Sequence, residues 1–213
     1  VKNIHHLLMA YSDFTMTQLS EKFGLIEKKE SIIPLSQIPT ILPSQRLRDD
    51  LAEARLLPEY SEKAKSEHII APILREVWRQ NKYAFELYSG YSFNVSEADK
   101  LTGVCDYLFS TEKSIEIRSA VFCIVEAKNR TVEEGIAQAF AEMYAAQLFN
   151  LKHKKETPIV YGCVTTAYEW LFLRLSDKQA SIDLDRYHIN ETNLPTLLGI
   201  LNYIVGIYLN KEA

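Results

Sequence analysis

The run Ala120-Val-Phe-Cys-Ile-Val-Glu-Ala-Lys128 constrains this chain more than any other feature. Its unbroken apolar stretch leaves no polar face for a strand to turn to solvent, so the segment fits a central strand covered on both sides. Glu126 and Lys128 lie two residues apart at its end and share one face, because side chains alternate along a strand with period two. A second run, Gly103-Val-Cys-Asp-Tyr-Leu-Phe109, carries Asp106 in the same apolar setting. A carboxylate among hydrophobics is costly to bury unpartnered, so each acid is expected to be exposed, paired or bound to a cation. Three charges gathered on one sheet favour the cation.

At 213 residues the chain suits one domain with a small appendage and can bury a substantial core. A formal net charge of −4 excludes a uniformly basic nucleic-acid coat but is compatible with a local basic groove beside an acidic site. Cys105, Cys123 and Cys163 are odd in number and sit in apolar runs, which argues for buried thiols rather than a secreted disulfide framework. Cys123 has the opposite strand parity to Glu126, and Cys105 adjoins Asp106, so both thiols are expected to face away from the carboxylates. Zinc is disfavoured because no CxxC or HxxxH spacing occurs, and His5 and His6 have no ligand partner at a recognisable spacing. No stretch approaches about 18 uninterrupted apolar residues and no signal-like N-terminus is seen, so a cytoplasmic protein without a membrane span is expected.

Along the chain, residues 1–60 read as a helical and irregular extension. A short helix is expected over Thr15–Leu25, ended by Gly24, and Pro34, Pro39 and Pro43 are expected to keep the following stretch sparse in regular structure. No basic recognition helix follows, so the segment reads as an arm packed on the main domain, residues 61–213. From Ser61 a long helix is expected, with Ile70, Ile73, Leu74, Val77 and Trp78 inward, Glu67 extending that stripe, Glu62 and Glu76 off it, and a bend at Pro72. Tyr83–Val95 reads as a strand or a hairpin turning at Gly90, followed by strands near 102–109 and 119–127. A helix near 131–150 carries Ala137, Phe140, Ala141, Tyr144 and Leu148 inward. Strands follow at 158–165 and 170–175, with Ser181–Ile189 pairing onto the latter, and an apolar helix closes the chain near 193–209. This order implies a mixed sheet between helices.

Glu67 on a helix, Asp106 on a strand, Glu126-x-Lys128 on the next strand and Gln138 on the helix after it resemble the PD-(D/E)XK nuclease superfamily. The resemblance covers roughly residues 61–165, with Cys105 standing where the family motif has proline. It implies an α/β (α+β) fold with a restriction-endonuclease-like αβββαβ core, a central mixed sheet flanked by helices, and an N-terminal helical extension. The implied activity is metal-dependent hydrolysis of phosphodiester bonds in DNA. Magnesium or manganese prefers oxygen donors, so Asp106, Glu126 and the Ala127 carbonyl are the expected ligands, with Glu67 holding a second metal or supporting the first. Lys128 would stabilise charge or orient the attacking water, and Gln138 would reach across the carboxylate face. Tyr144 reads as core. Asn129, Arg130 and the run Lys152-His153-Lys154-Lys155 are candidate phosphate contacts, the run being more readily a solvated loop. Cutting both strands of a duplex calls for two active sites and so for a homodimer. The alternative from another class is a catalytically inactive nuclease-like module that binds nucleic acid or a protein partner.

Overall fold

A computed structural model describes residues 10–58, 61–117, 120–155 and 159–209. His5, His6 and Pro158 lie outside them. Helix α1 (Met16–Phe23) forms where expected. The Thr15 hydroxyl accepts from the Gln18 N–H at 3.3 Å while Thr15 N–H donates to Gln18 Oε1 at 2.8 Å, a reciprocal cap. Gly24, at φ +71°, ends the helix in the left-handed conformation that glycine adopts at no steric cost. The next stretch is richer in regular structure than its prolines suggest. It holds strand β1 (Ile26–Glu30) and helix α2 (Gln45–Ala54), the latter capped by the Ser44 hydroxyl.

The long helix after Ser61 comprises α3 (Glu62–Lys65), a π turn (Ser66–Ile70) and α4 (Ala71–Gln80). Pro72 has no N–H and its ring crowds the carbonyl four residues back. The π turn, with one extra residue in the ring, relieves that conflict just before the proline. Its consequence is rotational: Glu67 turns out to solvent instead of extending the buried stripe.

The remaining elements are β2 (Glu86–Ser92), β3 (Val104–Ser110), β4 (Val121–Ala127), α5 (Ile136–Lys152), β5 (Ile159–Thr165), β6 (Glu169–Ser176), β7 (Gln179–Asp183), β8 (Tyr187–His188) and α6 (Leu194–Leu209). Gly90 lies inside β2 at φ +59° rather than at a hairpin turn. The strands form one mixed sheet in the order β1-β7-β6-β5-β4-β3-β2, with β8 beside β6. Pairs β1/β7 and β4/β5 are parallel, whereas β2/β3, β3/β4, β5/β6, β6/β7 and β6/β8 are antiparallel. β1 is nearly all charged, so its strand state comes from its partner. Glu30 Oε1 accepts from Gln179 Nε2 at 2.7 Å, Ser181 Oγ at 2.7 Å and Arg174 at 3.0 Å.

Helices cover the sheet on both faces. Ile73, Leu74 and Val77 of α4 and Leu201, Ile204 and Val205 of α6 pack with Phe122, Val125 and Phe172. Ala139, Phe140 and Met143 of α5 and Leu19 of α1 pack with Val121, Ile124, Leu171 and Leu173. Strand β4 is buried along its whole length, as an apolar run with helices on both sides requires. Among the described residues, no helix is long and apolar enough to cross a membrane.

Candidate active site

The site is built where β3 and β4 part. Their ladder pairs Tyr107 with Val125, so the next positions, Asp106 and Glu126, lie opposite one another. Ile124 packs on the α5 side of the sheet, and the period-two alternation puts Glu126 on that side as well; Asp106 lies near enough to act on both Glu126 and Glu142 of α5. Beyond this pair the carboxylate of Asp106 replaces the strand partner: Ala127 N–H donates to Asp106 Oδ2 at 2.8 Å. Both acids therefore lie close together at the end of the β3/β4 ladder.

Lys128 folds back over the same face. Its Nζ donates to Glu126 Oε1 at 2.7 Å and to Gln138 Oε1 at 2.9 Å, and Gln138 Nε2 donates to Glu142 Oε1 at 3.0 Å. Four side chains from β4 and the first turns of α5 thus form one chain of hydrogen bonds. Gly135 makes the close approach of α5 to this strand end sterically feasible. A Cβ there would meet Val164 Cγ1 at 2.6 Å and the Lys128 stem at 3.1 and 3.2 Å.

Charge and burial oppose each other at this site. Glu126 is 2% exposed and Glu142 is fully buried. Burial, then the nearby charges of Glu142 and Asp106, raise the Glu126 carboxyl well above its ordinary range against the pull of Lys128. Burial likewise pushes Glu142 up to about 8 despite its bond to Gln138. Asp106 is raised by burial, with the Ala127 N–H and Lys128 opposing the rise. Burial acts to lower the Lys128 ammonium, but Glu126, Glu62 and Asp106 outweigh it and its affinity for the proton is raised.

Of the residues singled out from sequence, the structure brings together Asp106, Glu126, Ala127, Lys128 and Gln138. Glu67 stands apart: its side chain is 59% exposed, and its carboxylate lies 3.8 Å from Lys63. Among the described residues its ion-pair partner is Lys63, and it acts together with Asp106 on the nearby Tyr107 phenol. Glu62, one helical element earlier, is close enough to influence Lys128. Asn129 is fastened to the helix, its carbonyl accepting from Lys65 Nζ at 2.8 Å, and Arg130 is exposed. The Lys152–Lys155 run sits at the far end of α5, about 20 Å from Gln138 by helix rise, and so cannot share a phosphate with this site. Glu142 is the residue that sequence reading missed. The available signal was its position four residues after Gln138, which puts both on one face of the helix. Cys105 also departs from expectation, lying against Glu142 rather than away from the acids.

No family model, curated protein or solved structure matches the chain. Among the described residues, no group of three or more His, Cys, Asp or Glu side chains is arranged to hold a metal ion. The donors themselves nevertheless suit a hard cation. Glu126 Oε2 is buried with no hydrogen-bond partner among the described residues, and an unpaired buried carboxylate oxygen is what magnesium or manganese would satisfy.

Proposed function

We propose that this protein is a metal-dependent nuclease that hydrolyses phosphodiester bonds in DNA. The observation that carries the reading is the divided carboxylate of Glu126, one oxygen on the Lys128 ammonium and the other buried without a partner among the described residues, beside Asp106 on the neighbouring strand. The element order supports it. Helix α4, strands β2, β3 and β4, helix α5 and strand β5, with β4 and β5 parallel, run in the αβββαβ sequence of a restriction-endonuclease-like core.

In this reading Asp106, Glu126 and the Ala127 carbonyl would hold the cation through oxygen donors. When bound, magnesium or manganese supplies a Lewis acid that lowers the pKa of the attacking water and offsets charge on the phosphate oxygens. Lys128 adds a fixed positive charge beside the reacting phosphate, where preorganised charge is worth more than in water. Gln138 keeps that ammonium from swinging to solvent. Glu67, exposed and 3.8 Å from Lys63, would have to leave that ion pair to reach a second metal. A duplex substrate would call for two copies of the site, which the proposed homodimer supplies.

Calorimetric titration with magnesium and with manganese, paired with cleavage of supercoiled and linear DNA, tests the reading. Asp106→Ala should weaken metal binding and abolish cleavage. Lys128→Ala should leave metal binding in place while lowering the cleavage rate by about 10²–10³-fold, the scale of one preorganised charge or donor. Cleavage at the wild-type rate by both variants would sink the assignment, and metal binding without any cleavage by the wild type would favour the inactive binding module.

A further inference from the structure

Resting on the nuclease reading for its catalytic consequence, we propose that Glu142 is a positioning residue that holds the Gln138 amide with its oxygen toward Lys128. A carboxamide is nearly symmetric in shape, and either end fits the same space. At Lys128 only the oxygen end is useful, because Nζ is a donor and the amide nitrogen would meet it as a second donor. The choice is made at the other end of Gln138, where Nε2 donates to Glu142 Oε1 at 3.0 Å. That bond leaves Oε1 of Gln138 facing Lys128 Nζ at 2.9 Å, and the ammonium is then held between Gln138 and Glu126.

Packing does not explain Glu142. The side chain is fully buried on α5 beside the Cys105 thiol, and its Oε2 has no hydrogen-bond partner among the described residues. A leucine would fill the same space without the cost of burying a polar group. The carboxyl group contributes an acceptor that a leucine lacks, aimed at the one side chain that bridges to Lys128. Its place on α5 makes the geometry rigid, since residues four apart on a helix stay on one face.

The test is the rate at which the Lys128 ammonium protons exchange with water, followed by nitrogen-15 NMR of the lysine side chain. Glu142→Leu should speed that exchange by about tenfold, the scale of one hydrogen bond. Glu142→Gln keeps an acceptor oxygen and should hold the exchange near the wild-type rate. Gln138→Leu should speed exchange as much as Glu142→Leu, and the double variant should add nothing further, because Glu142 acts through Gln138. With DNA as substrate, Glu142→Leu should lower kcat by about tenfold and leave KM in place. Unchanged exchange in Glu142→Leu, equal loss in Glu142→Gln, or additive effects in the double variant would each overturn the proposal. If Glu142→Leu does not fold, the comparison of Glu142→Gln with Gln138→Leu decides it. A wild type that never cleaves DNA would defeat the nuclease reading alone, because the exchange measurement does not depend on activity.

Discussion

Burial lifts the Glu142 carboxyl to about 8 and raises Glu126 as well, so near neutral pH the folded protein holds protons that the unfolded chain releases. An acid raised on folding contributes stability that is fully present below its unfolded value, 4.5 for Glu142, and is lost as pH climbs toward the folded value near 8. Metal-free protein should therefore lose on the order of a few kcal/mol between those limits and level off above them. Glu142→Gln cannot ionise and should flatten part of that slope, leaving the part due to Glu126. Calorimetric melting across pH 5 to 9 measures this; a wild-type Tm that rises with pH over the window would contradict it. At this scale the sequence was legible where one strand's parity or one helix's spacing sufficed, as for Asp106, Glu126, Lys128 and Gln138. Glu142 escaped because a residue within a nearly apolar helix reads as a departure from the core stripe. Only the tertiary approach of α5 to β4 reveals what it faces. Glu67 misled because regular 3.6-residue spacing was carried through a π turn.

Between elements, Glu76 shows how a helix can be started by a distant side chain. It lies on α4 and is 2% exposed. Its Oε1 accepts from Ser44 N–H at 2.9 Å and its Oε2 from Ser44 Oγ at 2.9 Å, while Ser44 Oγ accepts from Leu47 N–H at 3.2 Å at the start of α2. Burial raises its carboxyl, but Arg79 and Ser44 outweigh that and hold it below the usual range, so it is charged at neutral pH. Glu76→Ala would remove the acceptor for two Ser44 donors and leave Arg79 without its ion-pair partner on α4. The expected loss is about 2–4 kcal/mol in urea unfolding, with Glu76→Gln retaining part of it. A change below about 0.5 kcal/mol would mean that water replaces the carboxylate freely. The sequence hid this contact, since Glu76 sits off the apolar stripe and its partner Ser44 is 32 residues away. Strand β1 was hidden for a related reason. Ile26-Glu-Lys-Lys-Glu30 has no alternation to read, and pairing with β7 makes it a strand. The central strands and α1 were legible because burial on both faces and a local cap leave marks in the residues themselves.

Across the whole molecule, residues 10–54 run around the sheet rather than beside it. Tyr11 buries its ring against Gly103 and donates to the carbonyls of Phe93 at 2.6 Å and Leu101 at 3.1 Å. Phe23 on α1 stacks at 4.7 Å on Tyr144 of α5, and β1 then extends the sheet beyond β7. The chain next crosses to the other face, where Ile41 N–H donates to the Pro195 carbonyl at 3.0 Å and Pro39 lies on α6. A segment fixed at both sheet edges and on both faces should not melt separately from the sheet. Gly199 tests this, because a Cβ there would stand 2.2 Å from the Pro39 carbonyl oxygen, and backbone cannot yield as a flexible side chain can. Gly199→Ala should therefore cost about 1–3 kcal/mol by overpacking and lower the Tm of a single transition. Intrinsic tryptophan fluorescence and far-ultraviolet circular dichroism, recorded on the same melt, separate the outcomes. Trp78 on α4 and Trp170 on β6 report on the covered sheet, whereas dichroism reports on α1 and α2 as well. Coincident curves that shift together mean that the wrapped segment is part of one cooperative unit; an early dichroism step with the fluorescence midpoint unmoved would mean that residues up to about 60 fold as an appendage.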